Sequence, residues 1–205
     1  MGEDCAGAVQ VVPPDRVENT FGAITEADQQ RSVEWLSRAD IAELLTALRQ
    51  NLGAGRSSSE QGQCSLAGAQ PKTTLYHADG KWGVPKGRVP STHILKPPLL
   101  DLANLPYIEH ACLQLARELG LSAALSSVQH FGTETAIVFE RFDCVRTNGV
   151  VSRVHQEDMC QALAIQPTRK YELHGAPARP MWLPSSRATR RIRCWISPDL
   201  WKPTS

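Results

Sequence analysis

Lys72-Thr-Thr-Leu-Tyr-His-Ala78, Asp79-Gly80 and Lys81-Trp-Gly-Val84 form the stretch that decides the fold class. The outer runs hold β-branched, aromatic and aliphatic residues, and Asp-Gly between them is a two-residue hairpin signal. Downstream, Pro85–Pro90 reads as a loop and Thr92-His-Ile-Leu-Lys96 as a short strand stopped by Pro97-Pro98. Tyr107–Leu119 predicts a helix, with Ile108, Ala111, Cys112, Leu115 and Leu119 on one side and Gly120 as its cap. Ser127–Phe131 and Thr135–Arg141 predict two strands joined around Gly132, and Val151–Val154 another. Gln156–Ala164 predicts a helix ending before Pro167. Antiparallel hairpins with a helix inserted between strands predict an α+β fold, one sheet packed against helices.

Upstream the signals are sparser. Val9–Val12, ended by Pro13-Pro14, allows one strand within residues 1–36. Ser37 with Asp40 is a cap pair, and Ile41, Leu44, Leu45 and Leu48 follow on one helical face, with Gly53 as the stop. Residues 53–64 (GAGRSSSEQGQC) are small and polar, as in a linker.

Composition excludes several classes. The chain has 205 residues, 41% hydrophobic and 21% charged, which is ordinary for a globular protein. The net charge of +1 gives no general reason to expect nucleic acid or membrane as partner. Its distribution is uneven: residues 1–175 carry 16 Lys+Arg against 20 Asp+Glu, whereas 176–205 carry six against one. No apolar run approaches the ~18 residues of a membrane span. The acidic start, Met-Gly-Glu-Asp, lacks a signal peptide's features, so a cytoplasmic location is expected. The six cysteines are scattered with no C-x-x-C pair, and no histidine stands at metal-ligand spacing. Free thiols, several of them core fillers, are expected, and a zinc site is not.

Three segments carry chemistry. In Ser65-Leu-Ala-Gly-Ala-Gln-Pro-Lys-Thr73, Ala67, Gly68 and Ala69 are small enough for backbone N–H groups to approach a phosphate. The same residues would also serve as a tight entry to a strand. Lys96 ends an apolar strand, from which its ammonium can reach a phosphate, and Glu109 opens the next helix, where it can fix that lysine. Alternatively, Lys96 is a solvated strand end and Glu109 a favourable acid near a helix N-terminus. Ala136-Ile-Val-Phe-Glu-Arg-Phe-Asp143 suits a connector whose backbone hydrogen-bonds a purine edge beside an aromatic ring, or a buried strand leaving the core at Arg141. His77-Ala-Asp79 lies in the hairpin turn and is explained by turn chemistry.

Taken in order, these pieces resemble one family. Ser-Leu-Ala-Gly-Ala-Gln-x-Lys-Thr (65–73), Trp-Gly-Val-Pro-Lys-Gly (82–87), Thr-His-Ile-Leu-Lys (92–96), Cys-Leu-Gln-Leu-Ala-Arg-Glu-Leu-Gly-Leu (112–121), Glu-Arg-Phe-Asp (140–143), His-Gln-Glu-Asp-Met-Cys-Gln-Ala-Leu (155–163) and Arg-Lys-Tyr-Glu (169–172) follow the HipA kinases in order and approximate spacing. Met1–Val9 resembles the end of that family's N-terminal subdomain. The resemblance implies a divergent protein-kinase N-lobe, in which an antiparallel sheet packs against helices. It implies residues 1–52 as the end of the N-terminal subdomain plus a helix, 53–64 as a linker, and 65–175 as the ATP-binding lobe with the start of the next.

Activity, too, is an expectation from the resemblance. HipA proteins are serine/threonine kinases of toxin–antitoxin systems that use ATP and Mg²⁺ and phosphorylate an aminoacyl-tRNA synthetase. They are held in check by HipB, a helix-turn-helix antitoxin that binds DNA. The resemblance implies Leu66, Ala67, Gly68, Ala69 and Gln70 as the phosphate loop and Ser65 as the autophosphorylated serine. Lys96 becomes the ATP-phosphate lysine, Glu109 its partner, and Glu140, Arg141 and Phe142 the adenine hinge. Pro71 departs from the family's acidic residue there, which stiffens the loop and removes a donor N–H.

The likeness ends near Gly175. Beyond it no H-x-D…N segment or metal-binding aspartate follows, and Asp199 is the only acid among residues 176–205. The expectation is a truncated, inactive kinase fragment without its C-terminal helical lobe and without Mg²⁺ ligands. A non-catalytic remnant that binds nucleotide or a HipB-like antitoxin is the alternative. The tail, with three tryptophans, five arginines and four prolines from Arg179 on, reads as arbitrary sequence after a frameshift or as a basic aromatic arm for nucleic acid.

Overall fold

The protein is described by a computed structural model, covering residues 4–5, 25–50, 64–65, 70–156, 160, 163–169 and 173. The chain divides into two compact units, Met1–His155 and Gln156–Ser205. The strand expected at Val9–Val12, the 53–63 linker and the 176–205 tail lie outside the described residues. In the second unit a short 3-10 helix spans Pro167–Arg169. Of the helix expected over 156–164, only Gln156, Cys160, Leu163 and Ala164 are described.

The first unit is organised by a six-stranded sheet. In chain order the elements are β1 (Asp4–Cys5), α1 (Glu26–Arg31), β2 (Val33–Leu36), α2 (Arg38–Gln50), β3 (Cys64–Ser65), β4 (Thr73–Ala78), β5 (Lys81–Pro85), β6 (His93–Lys96), α3 (Leu105–Glu118), β7 (Ser126–Phe131), β8 (Glu134–Glu140), β9 (Cys144–Thr147) and β10 (Val150–Arg153). The large sheet runs β2-β5-β4-β6-β8-β7, and every neighbouring pair in it is antiparallel. The β4–β5 hairpin forms as expected. Asp79 (φ 50°) and Gly80 (φ 72°) both take the left-handed conformation that a type I′ turn demands. A mixed α+β architecture with an antiparallel sheet and few helices is therefore what the chain adopts. Among the described residues no helix is long and apolar enough to cross a membrane.

Strand alternation sorts the side chains onto two faces. On one face Leu75, Trp82, Leu95, Phe131, Ala136 and Val138 meet Ile41 and Leu45 of α2. At about 1.5–3 kcal/mol per large buried apolar side chain, this cluster is the main source of stability. Helix α2 begins as its sequence dictates: the Ser37 N–H donates to Asp40 Oδ2 (2.7 Å) and the Asp40 N–H to Ser37 Oγ (3.2 Å). On the opposite face Val33, Tyr76, Ala78, Val89 and Val151 form a second cluster. There Gln29 of α1 is buried and bridges Val151, donating to its carbonyl (2.7 Å) and accepting from its N–H (2.8 Å).

Three features differ from the sequence expectation. Helix α1 and strand β2 arise within residues 1–36, where the sequence signals allow one strand only. Strand β9 pairs with β10 across Asn148-Gly149, again with both residues at positive φ. The third difference is in α3. Its supposed apolar side faces outward: Ile108, Leu115 and Leu119 are 58%, 56% and 70% exposed, and Ala111 and Cys112 are exposed with them. The side turned to the sheet carries Pro106, Glu109, His110, Leu113 and Ala116. Cys112 is thus no core filler, while Cys144 and Cys160 are half-buried.

Candidate functional site

The candidate site starts from the register of β6. Leu95 points into the α2 cluster, so Lys96 emerges on the other face, level with Ile137 of β8. Helix α3 lies on that face and sends Glu109 to meet it. The Nζ–Oε1 distance is 2.7 Å, and the two side chains are 21% and 29% exposed. Beneath the ammonium lies the ring of Phe139, its centroid 4.4 Å from Nζ. A half-buried lysine held between a carboxylate and an aromatic face is fixed in position but still open to an incoming anion.

Gln70 lies at the near end of the small-residue loop. Its Nε2 donates to the Pro97 carbonyl at 3.4 Å, tying that end of the loop to the residue after Lys96. Leu66, Ala67, Gly68 and Ala69 lie outside the described residues. Ser65 is described by its backbone, in β3, which pairs in parallel with β1 through Cys5.

At the far end of the β6–β8 pair, His93 stands opposite Glu140, three residues from the Lys96–Ile137 pair. Strand rise puts the two pairs about 10 Å apart. Glu140 is exposed, and its N–H donates to the Leu125 carbonyl (3.1 Å). The Arg141 N–H donates to the Thr92 carbonyl (2.9 Å), so both amides are engaged inside the fold. The Arg141 side chain is also turned inward. Nε and Nη2 grip Asp143 Oδ1 and Oδ2 at 2.9 and 2.7 Å, and Nη1 donates to Ser91 Oγ at 2.8 Å. Between these two buried residues Phe142 is 81% exposed. Of the three connector residues, only Glu140 and Phe142 present side chains to solvent.

His93 sets the electrostatics behind this strand. Burial, then the neighbouring His77 and Arg146, lowers its pKa to about 4, which keeps the ring neutral at pH 7. Its Nδ1 lies 2.8 Å from Thr92 Oγ1, which also accepts from the His77 N–H at 2.8 Å. Among the described residues no three His, Cys, Asp or Glu side chains converge as metal ligands. An ammonium at Lys96 has the charge to pair with an anionic group such as a phosphate. Sequence reasoning missed Phe139 as the floor under Lys96, and Asp143 and Ser91 as the anchors of Arg141. The alternation of β8, together with an acid two residues after an arginine, was the available signal.

Residues 64–185, more than half of the chain, match the family model of the HipA-like C-terminal domain. The chain belongs to the HipA-like family. This HipA-like chain is 38% identical over 179 residues to a Sinorhizobium fredii protein named "Putative kinase Y4mE", covering 86% of this chain and 41% of that one. It is 31% identical over 174 residues to the serine/threonine-protein kinase toxin HipA of Shewanella oneidensis, covering 84% and 37%. Among solved structures it resembles a chain from the Shewanella oneidensis complex of HipA, HipB and operator DNA. The TM-score is 0.60 at 28% identity, over 85% of this chain and 38% of that one. The HipA-like chain thus spans about two-fifths of the length of the relatives it matches.

Proposed function

We propose that this chain carries the nucleotide-binding part of a HipA-type protein serine/threonine kinase, built as a divergent kinase N-lobe and acting in the cytoplasm. The Lys96–Glu109 pair is the observation that carries this reading: a strand lysine is fixed by an acid on the following helix while its ammonium stays accessible. In kinases that pair holds the phosphates of ATP. The loop Leu66–Gln70 would wrap the phosphates and Ser65 would be its modified residue. The adenine would lie beside Glu140 to Phe142, the Phe142 ring packing on its face. The ~10 Å between the two ends of the β6–β8 pair leaves room for a nucleoside between base and phosphates.

The parent activity in this reading is γ-phosphoryl transfer from Mg²⁺-ATP to a protein hydroxyl, such as that of an aminoacyl-tRNA synthetase. The 205 residues hold no recognisable aspartate pair to orient that hydroxyl and bind Mg²⁺, so by themselves they bind nucleotide without transferring phosphate. Titration calorimetry with ATP tests the binding. Lys96→Ala removes one charge-assisted contact and should weaken affinity about 10–100-fold. Equal affinity in the two proteins would refute the site. Incubation with labelled ATP, Mg²⁺ and the synthetase should give no label above background, and transfer abolished by Lys96→Ala would overturn the non-catalytic part.

A second reading is favoured by the similarity to HipA from a HipA–HipB–operator complex. Here the chain contacts a HipB-like antitoxin and, through it, DNA. A supershift of an antitoxin–operator band by the purified chain would support this reading, and an unchanged band would exclude it.

A further inference from the structure

We propose that the outward face of α3 is a self-association surface on which a second copy of this chain packs, α3 against α3 and antiparallel. Ile108, Ala111, Cys112, Leu115 and Leu119 follow helical spacing and fall within an arc of roughly 100°. All five are exposed, and none carries a charge. Further exposed leucines lie just before and after α3 in sequence, and seven large aliphatic side chains from Leu100 to Leu125 are about half to two-thirds open to solvent. A well-buried aliphatic side chain removes about 100 Å² from water, so these seven offer on the order of 500 Å² of apolar area. A standard interface takes about 800 Å² from each partner, a little over half of it apolar. An apolar area of that size matches what a stable dimer takes from each partner and stands at the upper end of what a monomer leaves exposed.

Charge and symmetry select the antiparallel arrangement. Glu118 flanks the stripe at its C-terminal end, and the first turn of α3 has no acidic residue. Antiparallel pairing brings each Glu118 to the electropositive N-terminal turn of the other helix, whereas parallel pairing would set Glu118 against Glu118. A two-fold pairing that matches Ile108 with Leu119 matches Cys112 with Leu115. The two Cys112 Cα atoms are then about 4.5 Å apart along the axis, from a 1.5 Å rise per residue. With helix axes about 8–9 Å apart, as small residues at the crossing allow, the direct separation is about 6 Å. A disulfide spans that distance.

Self-association of this kind is independent of the nucleotide reading, and its test needs no ligand. Sedimentation of the reduced 205-residue chain from about 1 to 100 μM should show a concentration-dependent monomer–dimer equilibrium. Leu115→Glu should shift it to monomer, with the same thermal transition as the parent at concentrations where both are monomeric, because Leu115 makes little of the monomer's core. Mild oxidation with diamide should trap a covalent dimer in the parent chain and none in Cys112→Ser. A monomer throughout the range, open-ended aggregation without a discrete dimer, a dimer indifferent to Leu115→Glu, or a dimer not trapped through Cys112 would each overturn it.

Discussion

Replacing Asp143 by alanine tests whether the connector after β8 is held by its buried ion pair. The Arg141 and Asp143 side chains are 1% and 3% exposed, with the closest contact at 2.7 Å. Such a pair adds little stability relative to apolar residues, because desolvation offsets the attraction, yet removing one partner leaves a charge in a dry site. Asp143→Ala should therefore cost about 3–5 kcal/mol, a large share of the 5–15 kcal/mol that usually holds a domain together. In a protein of this size that corresponds to a melting point lower by roughly 6–20 °C. Urea unfolding followed through tryptophan fluorescence, to which the buried Trp82 contributes, gives the free energy directly. The double variant Arg141→Met/Asp143→Leu should recover most of the loss, since neither charge then remains. A single-variant cost below about 1 kcal/mol would refute the reasoning. So would a double variant as unstable as the sum of its singles.

Gly83→Ala should destabilise by about 1–3 kcal/mol in the same assay, because an added Cβ would sit 2.7 Å from the Glu34 carbonyl oxygen of the paired strand. His93 makes stability pH-dependent. Its folded pKa is depressed to about 4, so protons favour the unfolded chain; stability is full above about pH 6.5 and declines towards pH 4. The decline attributable to His93 is at most about 3 kcal/mol, and unfolding curves of His93→Gln should be flatter across that window. Glu109→Gln should change stability by less than about 1 kcal/mol, since the pair is part-exposed, while lowering ATP affinity through a less fixed Lys96. A calorimetric titration of that variant with parental affinity would count against the positioning role.

Much of the fold was legible because its signals are local. Asp79-Gly80 and the Ser37–Asp40 cap specify their turn and helix start within four residues, and both form as expected. Helix α1 carries the same kind of signal, less visible beside so short a helix: Thr25 and Asp28 form a reciprocal capping box. Asn148-Gly149 likewise marks the β9–β10 hairpin. The positions of Lys96 and Glu109 were legible from strand and helix order, and their 2.7 Å contact follows once α3 lies on the Lys96 face. The buried state of Arg141 was not legible. It depends on Ser91, fifty residues away in sequence, and on the amide bond to Thr92. Helical periodicity located the apolar stripe of α3 correctly but could not say which way it turns.

Its orientation follows from the site. Leu95 must face the α2 cluster, so alternation sends Lys96 to the opposite side, where a half-buried ammonium needs a carboxylate close by. The carboxylate comes from Glu109, which lies about 110° around the helical wheel from the centre of the Ile108–Leu119 stripe, on the side it shares with His110 and Leu113. Turning Glu109 inward, with His110 placed 2.9 Å from Ser126 Oγ, therefore turns the stripe outward. A helix that kept its apolar face on the sheet would have left the strand lysine unpaired. The polar contact that builds the candidate site and the exposed surface assigned to self-association are two consequences of one rotation of α3. Lys96→Met tests the link. With no charge left to hold Glu109, α3 is free to rotate its stripe inward, and amide exchange along Leu105–Glu118 should change while α2 keeps its protection. Unaltered exchange in α3 would show that packing of Leu113 and Ala116, rather than the ion pair, sets the orientation of the helix.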